Sequence, residues 1–163
     1  MAVALYRIDD RLIHGQVIVG WGQPLSLSFI VLVDDAVAES DWEQDLYRAG
    51  VPPEMEVTFE SVASAAAKMA TYESRPDKGI VLTGDIETMR RLVEATANAI
   101  HHVNLGGIHH RAGRAPRLRY VFLAPAEESA LRTLSDAGVV VSAQDVPAAA
   151  PVPLNAVLSG SGA

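Results

Sequence analysis

Phe29-Ile30-Val31-Leu32-Val33-Asp34-Asp35 is five apolar residues without a break, closed by two carboxylates. A strand with one face in water alternates apolar and polar side chains. An unbroken run therefore marks a strand covered on both faces, the habit of a parallel sheet flanked by helices. Outward from this run the same signal recurs at Val3 to Ile8, Met55 to Phe59, Ile80 to Leu82, His102 to Leu105, Tyr120 to Leu123 and Val139 to Ser142. Helical periods lie between: Val62, Ala65, Ala66 and Met69 behind a Ser61 cap, then Ile86, Met89, Val93 and Ala97 behind an Asp85 cap. Pro125 opens a further helix with Glu127 and Glu128 in its first turn and Gly138 at its end. This alternation predicts an α/β fold, a single-domain, open, mostly parallel sheet of about six to seven strands with helices on both faces.

The chain of 163 residues, 49% hydrophobic, fits one domain over its whole length. A net charge of −7 argues against nucleic acid or an anionic membrane as partner, since both require a concentrated positive face. The absence of cysteine excludes disulfides. No apolar stretch approaches the roughly 18 residues of a spanning helix, and Arg7 and Asp9 follow the amino terminus too soon for a signal peptide, so a cytoplasmic protein that does not itself span the membrane is expected.

In a parallel sheet the carboxyl ends of the strands share one edge, and ligands bind there. That edge gathers the loop from Asp9 to Gly15, the Asp34-Asp35 pair, the Thr83-Gly84-Asp85 turn and Gly106-Gly107. It also receives the densest polar cluster of the chain, Arg7-Ile8-Asp9-Asp10-Arg11-Leu12-Ile13-His14-Gly15-Gln16-Val17. A neutral imidazole is a nucleophile near physiological pH, because its pKa of about 6.5 leaves one ring nitrogen with a lone pair. A transferring phosphoryl group asks mainly for position and positive potential, which the forked guanidiniums of Arg7 and Arg11 supply. Either Asp9 or Asp10 can hold the second ring nitrogen as N–H and so fix the tautomer. Gly15 lets a backbone come near the phosphate, and a helix from about Gln16 points free amides at the same spot. The competing reading is a solvated turn of paired arginines and aspartates around a partly buried structural histidine.

The stretch RIDDRLIHGQV, followed by Trp21, resembles the active-site signature of the IIB component of the mannose/fructose/sorbose family of sugar phosphotransferase systems. Val103-Asn104-Leu105-Gly106-Gly107-Ile108, with Arg111 and Gly113 after it, is similar to that family's second characteristic segment. The order and separation of the two agree with the family, and the resemblance runs from about Val3 to about Leu158. It implies that His14 accepts a phosphoryl group on its pros nitrogen from a phosphohistidine of the IIA component. The group would then pass to a sugar entering through the membrane components IIC and IID. Arg11 would bind the phosphoryl group and Asp9 would orient the ring. Arg7, Asp10, Gly15, Gln16, Asp35, Gly106 and Gly107 are the further residues expected to bind phosphate or line the site, with no cofactor and no metal. Lack of cysteine is consistent with this, since other sugar-specific IIB types carry the phosphoryl group on a thiolate. The chain carries no attached IIA sequence, which leaves a second role open: a regulatory module whose phosphorylation state signals to a partner. A nucleotide-binding α/β protein is disfavoured, because no glycine-rich phosphate loop follows the first strand.

Several residues keep two readings. Asp34 and Asp35 either position Arg11 or cap the next helix, with capping preferred. Gly106-Gly107 either admits the main chain to His14 or makes a tight turn. Trp21 lines a partner-facing surface or belongs to the core. His101-His102 and His109-His110 are poor metal sites, since neighbours in a strand point to opposite faces. His109 and His110 also stand where the family more often has apolar or aromatic residues. Arg111, Arg114, Arg117 and Arg119 form a basic stretch, read as a solvated loop or as a face for an acidic partner. From about Pro147 a Pro/Ala-rich segment is expected to lie over the body, with Ser159 to Ala163 mobile.

Overall fold

A computed structural model describes residues 2–97 and 99–159. Nine strands and six α-helices follow one another among these: β1 Val3–Ile8, β2 Phe29–Val33, α1 Asp35–Ala38, α2 Asp41–Ala49, β3 Glu56–Glu60, α3 Val62–Glu73, β4 Gly79–Thr83, α4 Ile86–Ala95, β5 His102–Leu105, β6 Ala115–Leu118, β7 Val121–Leu123, α5 Pro125–Asp136, β8 Val140–Ala143, β9 Val152–Pro153 and α6 Leu154–Leu158. A π-helical segment, Gln16–Gly22, connects β1 to β2.

Seven strands form one sheet in the order β3-β2-β4-β1-β5-β8-β9. All neighbours run parallel except β9, which pairs antiparallel to β8 through Ser142–Pro153 and Ala143–Val152. The β2 run is buried at every position, as are all five residues of β4. Their side chains divide by parity between two cores. Phe29, Val31, Val33 and Val81 pack with Val62, Met69, Met89, Leu92, Leu131 and Leu134 of α3, α4 and α5. Ile30, Leu32, Ile80 and Leu82 pack on the opposite face with Val17 and Ile18 of the π-helical segment and Val37 of α1. Both faces are thus covered, as an unbroken apolar strand requires.

The caps act as expected. Ser61 Oγ accepts from Ser64 N and Asp85 Oδ1 from Thr88 N, and Gly138 takes φ +92° just past α5, a conformation that glycine adopts without strain.

Two expectations are corrected. Tyr120 to Leu123 does not enter the main sheet: Val121–Leu123 pairs antiparallel with Ala115–Leu118 in a separate hairpin, through Ala115–Leu123, Pro116–Phe122 and Leu118–Val121. The basic stretch is therefore partly strand. Arg114 and Arg117 fold back onto Glu127 and Glu128 of α5. The tail does lie over the body, with Leu154 and Val157 buried; of its last five residues only Ser159 lies within the described residues.

Candidate functional site

The site forms where β4, β1, β5 and β8 end together. Asp9 N donates to Thr83 O at 2.9 Å, Gly106 N to Ile8 O at 2.6 Å and Gln144 N to Leu105 O at 3.0 Å, so the loops leave the sheet from pinned main chain. β1 and β5 are neighbours, yet the chain leaves β1 toward β2 on one side and β5 toward β8 on the other. Such a switch point opens a crevice at the carboxyl edge.

Arg7, near the end of β1, is wholly buried. It donates to Asn104 Oδ1, to the main-chain oxygens of Gln144 at 2.8 Å and Asp145 at 3.2 Å, and to Asp9 Oδ2 at 3.2 Å. Its Cζ lies 4.6 Å from the Trp21 ring centre. Trp21, 3% exposed, donates Nε1–H to Asp145 O at 3.3 Å and so belongs to the core beneath the site. Burial pushes the Arg7 guanidinium down from its usual pKa, and the Asp9 charge works in the other direction.

Asp9, also 0% exposed, is the hub. Its Oδ1 accepts Arg11 N at 3.1 Å and Arg11 Nε at 2.9 Å; its Oδ2 accepts Arg11 Nη2 at 2.8 Å. His14 Nε2 stands 3.6 Å from the same Oδ2. Burial alone would raise the Asp9 pKa, but the His14 ring facing it and the Arg11 fork hydrogen-bonded to it, with the Arg7 and Arg11 charges, outweigh burial and hold it well below the usual carboxylate range. Asp9 in turn raises the pKa of Arg11, whose side chain keeps 31% of its surface in solvent.

The His14 side chain is 19% exposed, while Nε2 itself is shielded from solvent. A carboxylate facing Nε2 favours the tautomer with its proton there, which assigns the lone pair to Nδ1. The loop that delivers the ring carries local strain: Leu12 has φ 58°, unusual for a branched side chain. A Cβ added at Gly84 would stand 2.8 Å from Leu12 Cδ2, so the β4 turn leaves room for that side chain.

The glycines of the second segment have distinct reasons. A Cβ at Gly106 would stand 2.6 Å from Arg7 Cζ and 2.9 Å from Asp9 Oδ2; one at Gly107 would stand 3.4 Å from Arg11 Nε. Close approach to the buried ion pair, rather than a left-handed turn, requires glycine at 106. Gly15, exposed and right-handed at φ −55°, faces open space. Gln16 begins the π-helical segment; its side chain lies outside what is described.

Of the residues expected here, the structure brings together Arg7, Asp9, Arg11, His14, Gly106 and Gly107. Arg7 is corrected in role: a wholly buried guanidinium anchors Asp9 from below and does not reach a ligand arriving from solvent. Asp10 turns aside to His109, accepting its N–H at 2.7 Å and meeting its Nδ1 at 2.5 Å. Asp35 directs its oxygens to Val62 N at the start of α3 and to Arg91, both at 2.9 Å, while Asp34 caps α1 through Ala36 N and Val37 N. The preference for capping was correct for Asp34, and Asp35 serves a neighbouring helix. Asn104, Gln144 and Asp145 were missed. Asn104 is a polar residue between the buried apolar Val103 and Leu105 of β5, a signal that it meets a buried partner; Gln144-Asp145 follows a strand end on the site's edge, the position that marked Asp9.

The chain is similar to known proteins over nearly its full length. The family model described as the PTS system sorbose subfamily IIB component matches residues 3–162. The N-acetylgalactosamine-specific phosphotransferase enzyme IIB component 1 of Escherichia coli K12 is 32% identical over 151 residues, 89% of this chain and 91% of that protein. The sorbose-specific EIIB component of Klebsiella pneumoniae is 30% identical over 139 residues, covering 85% and 84%. The crystal structure of the IIBSor domain of the sorbose permease from Klebsiella pneumoniae superposes with a TM-score of 0.87 at 27% identity, over 99% of each chain.

Proposed function

We propose, from the premise that the chain belongs to the sorbose-subfamily IIB components of the sugar phosphotransferase system, that it carries a phosphoryl group on His14 Nδ1 between a IIA donor and a sugar. The observation that carries this reading is the shielded Nε2 set against Asp9. In the first step the Nδ1 lone pair attacks phosphorus as the donor's P–N bond breaks, and the donor imidazole leaves with that electron pair. The His14 ring, still protonated on Nε2, gains positive charge that the Asp9 carboxylate stabilises. Arg11 meets the oxygens of the passing group at the exposed side of its fork. In the second step a sugar hydroxyl oxygen takes the phosphorus, the P–N pair returns to Nδ1, and the hydroxyl proton leaves to a base.

The arrangement of a related protein supports a IIA donor. The mannose-specific EIIAB component of Escherichia coli K12, 29% identical, is covered over 45% of its length by this chain, and its name joins the two components. No described helix is long and apolar enough to cross a membrane. By its family membership the chain is expected to act with separate membrane IIC and IID components that admit the sugar, at their cytoplasmic side. The test is transfer of labelled phosphoryl from a phosphorylated sorbose-family IIA component. We expect the wild-type chain to take up label and His14→Ala to take up none; label on the variant would overturn the assignment.

A further inference from the structure

We infer that the cleft between Arg11 and the β6–β7 hairpin is a subsite for a phosphomonoester borne on a polyhydroxylated carbon skeleton, a sugar phosphate. The cleft, of about 240 Å³, is lined by Arg11, Gly107, His109, Arg119, Tyr120, Phe122 and Asp145. His14 is not among its walls, so the cleft extends the site on the far side of Arg11. On a chain of net charge −7, two guanidiniums and an imidazole around one small space are a local arrangement.

The hairpin decides which cation is available. Arg114, 10% exposed, is forked onto Glu127 at 2.9 and 2.7 Å, and Arg117 is tied to Glu128 at 2.7 Å. Arg119 is 79% exposed and is held by one contact, Nη2 to Asp145 Oδ2 at 3.2 Å. An exposed, singly held guanidinium can exchange that carboxylate for a phosphate oxygen at small cost. His109 is fixed from three sides: its N–H and Nδ1 face Asp10, and its main-chain oxygen accepts Arg114 Nη1 at 2.8 Å. The ring is therefore a set wall of the cleft.

The remaining walls choose among anions. The Asp145 carboxylate, once exchanged from Arg119, accepts hydrogen bonds from hydroxyl groups, of which a hexose phosphate offers several and dianionic inorganic phosphate only one. Tyr120 and Phe122 offer ring surface to a carbon skeleton. A ligand with phosphate at one end and hydroxyls at the other satisfies both halves, whereas inorganic phosphate or a free sugar satisfies one. That the ligand is the product of onward transfer rests on the phosphoryl-carrier reading of His14; binding itself does not.

The test is calorimetric titration of the unphosphorylated chain with a hexose 6-phosphate, inorganic phosphate and the free hexose. The expected result is saturable binding of the hexose phosphate on the order of 1 mM, a range suited to a small polar ligand in a half-open cleft. Inorganic phosphate and the free hexose should each bind about tenfold more weakly or not at all. Arg119→Ala, at an exposed position that leaves the fold intact, should weaken hexose phosphate about tenfold, as the loss of one charge-assisted contact predicts. His14→Ala should bind as the wild type does. Absence of saturation, equal affinity for inorganic phosphate, no effect of Arg119→Ala, or loss of binding in His14→Ala would each overturn the subsite. Normal binding in a chain that takes no phosphoryl group would retain the subsite and refute the carrier reading alone.

Discussion

Replacing Arg7 with methionine keeps an apolar stem of similar length and removes every polar contact that the guanidinium makes at the base of the site. Asp9 keeps Arg11 and His14, so the cost of breaking its buried pair sits near the low end of the usual range, about 3 kcal/mol. Asp145 O keeps Trp21 Nε1, but Gln144 O and Asn104 Oδ1 lose a donor in a buried setting, each costing about 1 kcal/mol or more. Together these give a loss of about 5 kcal/mol, comparable to the whole stability of a small domain, which runs from about 5 to 15 kcal/mol. Urea unfolding followed by tryptophan fluorescence measures it directly, because Trp21 lies against the lost guanidinium. Arg7→Lys should recover part of the loss, since an ammonium reaches one or two of the acceptors without reproducing the fork. A loss below about 2 kcal/mol in Arg7→Met, with phosphoryl uptake at the wild-type rate, would refute the view that Arg7 supports Asp9 from beneath.

Two further outcomes follow from the same geometry. Gly106→Ala places a Cβ against the locked Arg7 guanidinium and Asp9 carboxylate, and should cost about 1–3 kcal/mol and slow phosphoryl uptake, whereas Gly15→Ala, in open space and right-handed backbone, should match or slightly exceed wild-type stability; equal thermal melting of the two variants would contradict this. Asp9 titrates lower folded than unfolded, so its contribution is full above the unfolded pKa of about 3.9 and is lost progressively as pH falls from there toward its lower folded value. Asp9→Asn should accordingly be less stable than wild type at pH 7 and show a flatter acid limb below about pH 4; parallel acid limbs would show that Asp9 does not govern this range.

The parts of the fold that were legible share a physical origin. Phe29 to Val33 and Gly79 to Thr83 are buried on both faces, so composition alone marks them, and α3, α4 and α5 carry apolar periods behind recognisable caps or a leading proline. What stayed hidden has little apolar signal. α2 buries none of its residues and exposes Trp42 and Leu46, and β6 includes Pro116 within an arginine-rich stretch. Tyr120 to Leu123 showed its strand character but not its partner, because pairing with β6 rather than with the main sheet is a tertiary choice. In the site, the RIDDRLIHGQV stretch marked the residues but not their depth. Arg7 and Arg11, four positions apart, look equivalent on paper, yet the first lies within β1 and is sealed by Trp21 and the Gln144-Asp145 turn, while the second rises with the loop to the surface. Asp9 and Asp10 likewise differ only in the direction the backbone gives them, one toward Arg7 and Arg11, the other toward His109.

On the proposed reading His14 receives a phosphoryl group on Nδ1, the ring nitrogen other than the one that faces Asp9. Phosphorus NMR of the chain incubated with a phosphorylated sorbose-family IIA component reports the acceptor and the ring nitrogen in one spectrum. A single phosphohistidine resonance of the Nδ1 type is expected, absent from His14→Ala. A resonance of the Nε2 type, or a signal that survives in that variant, would contradict it.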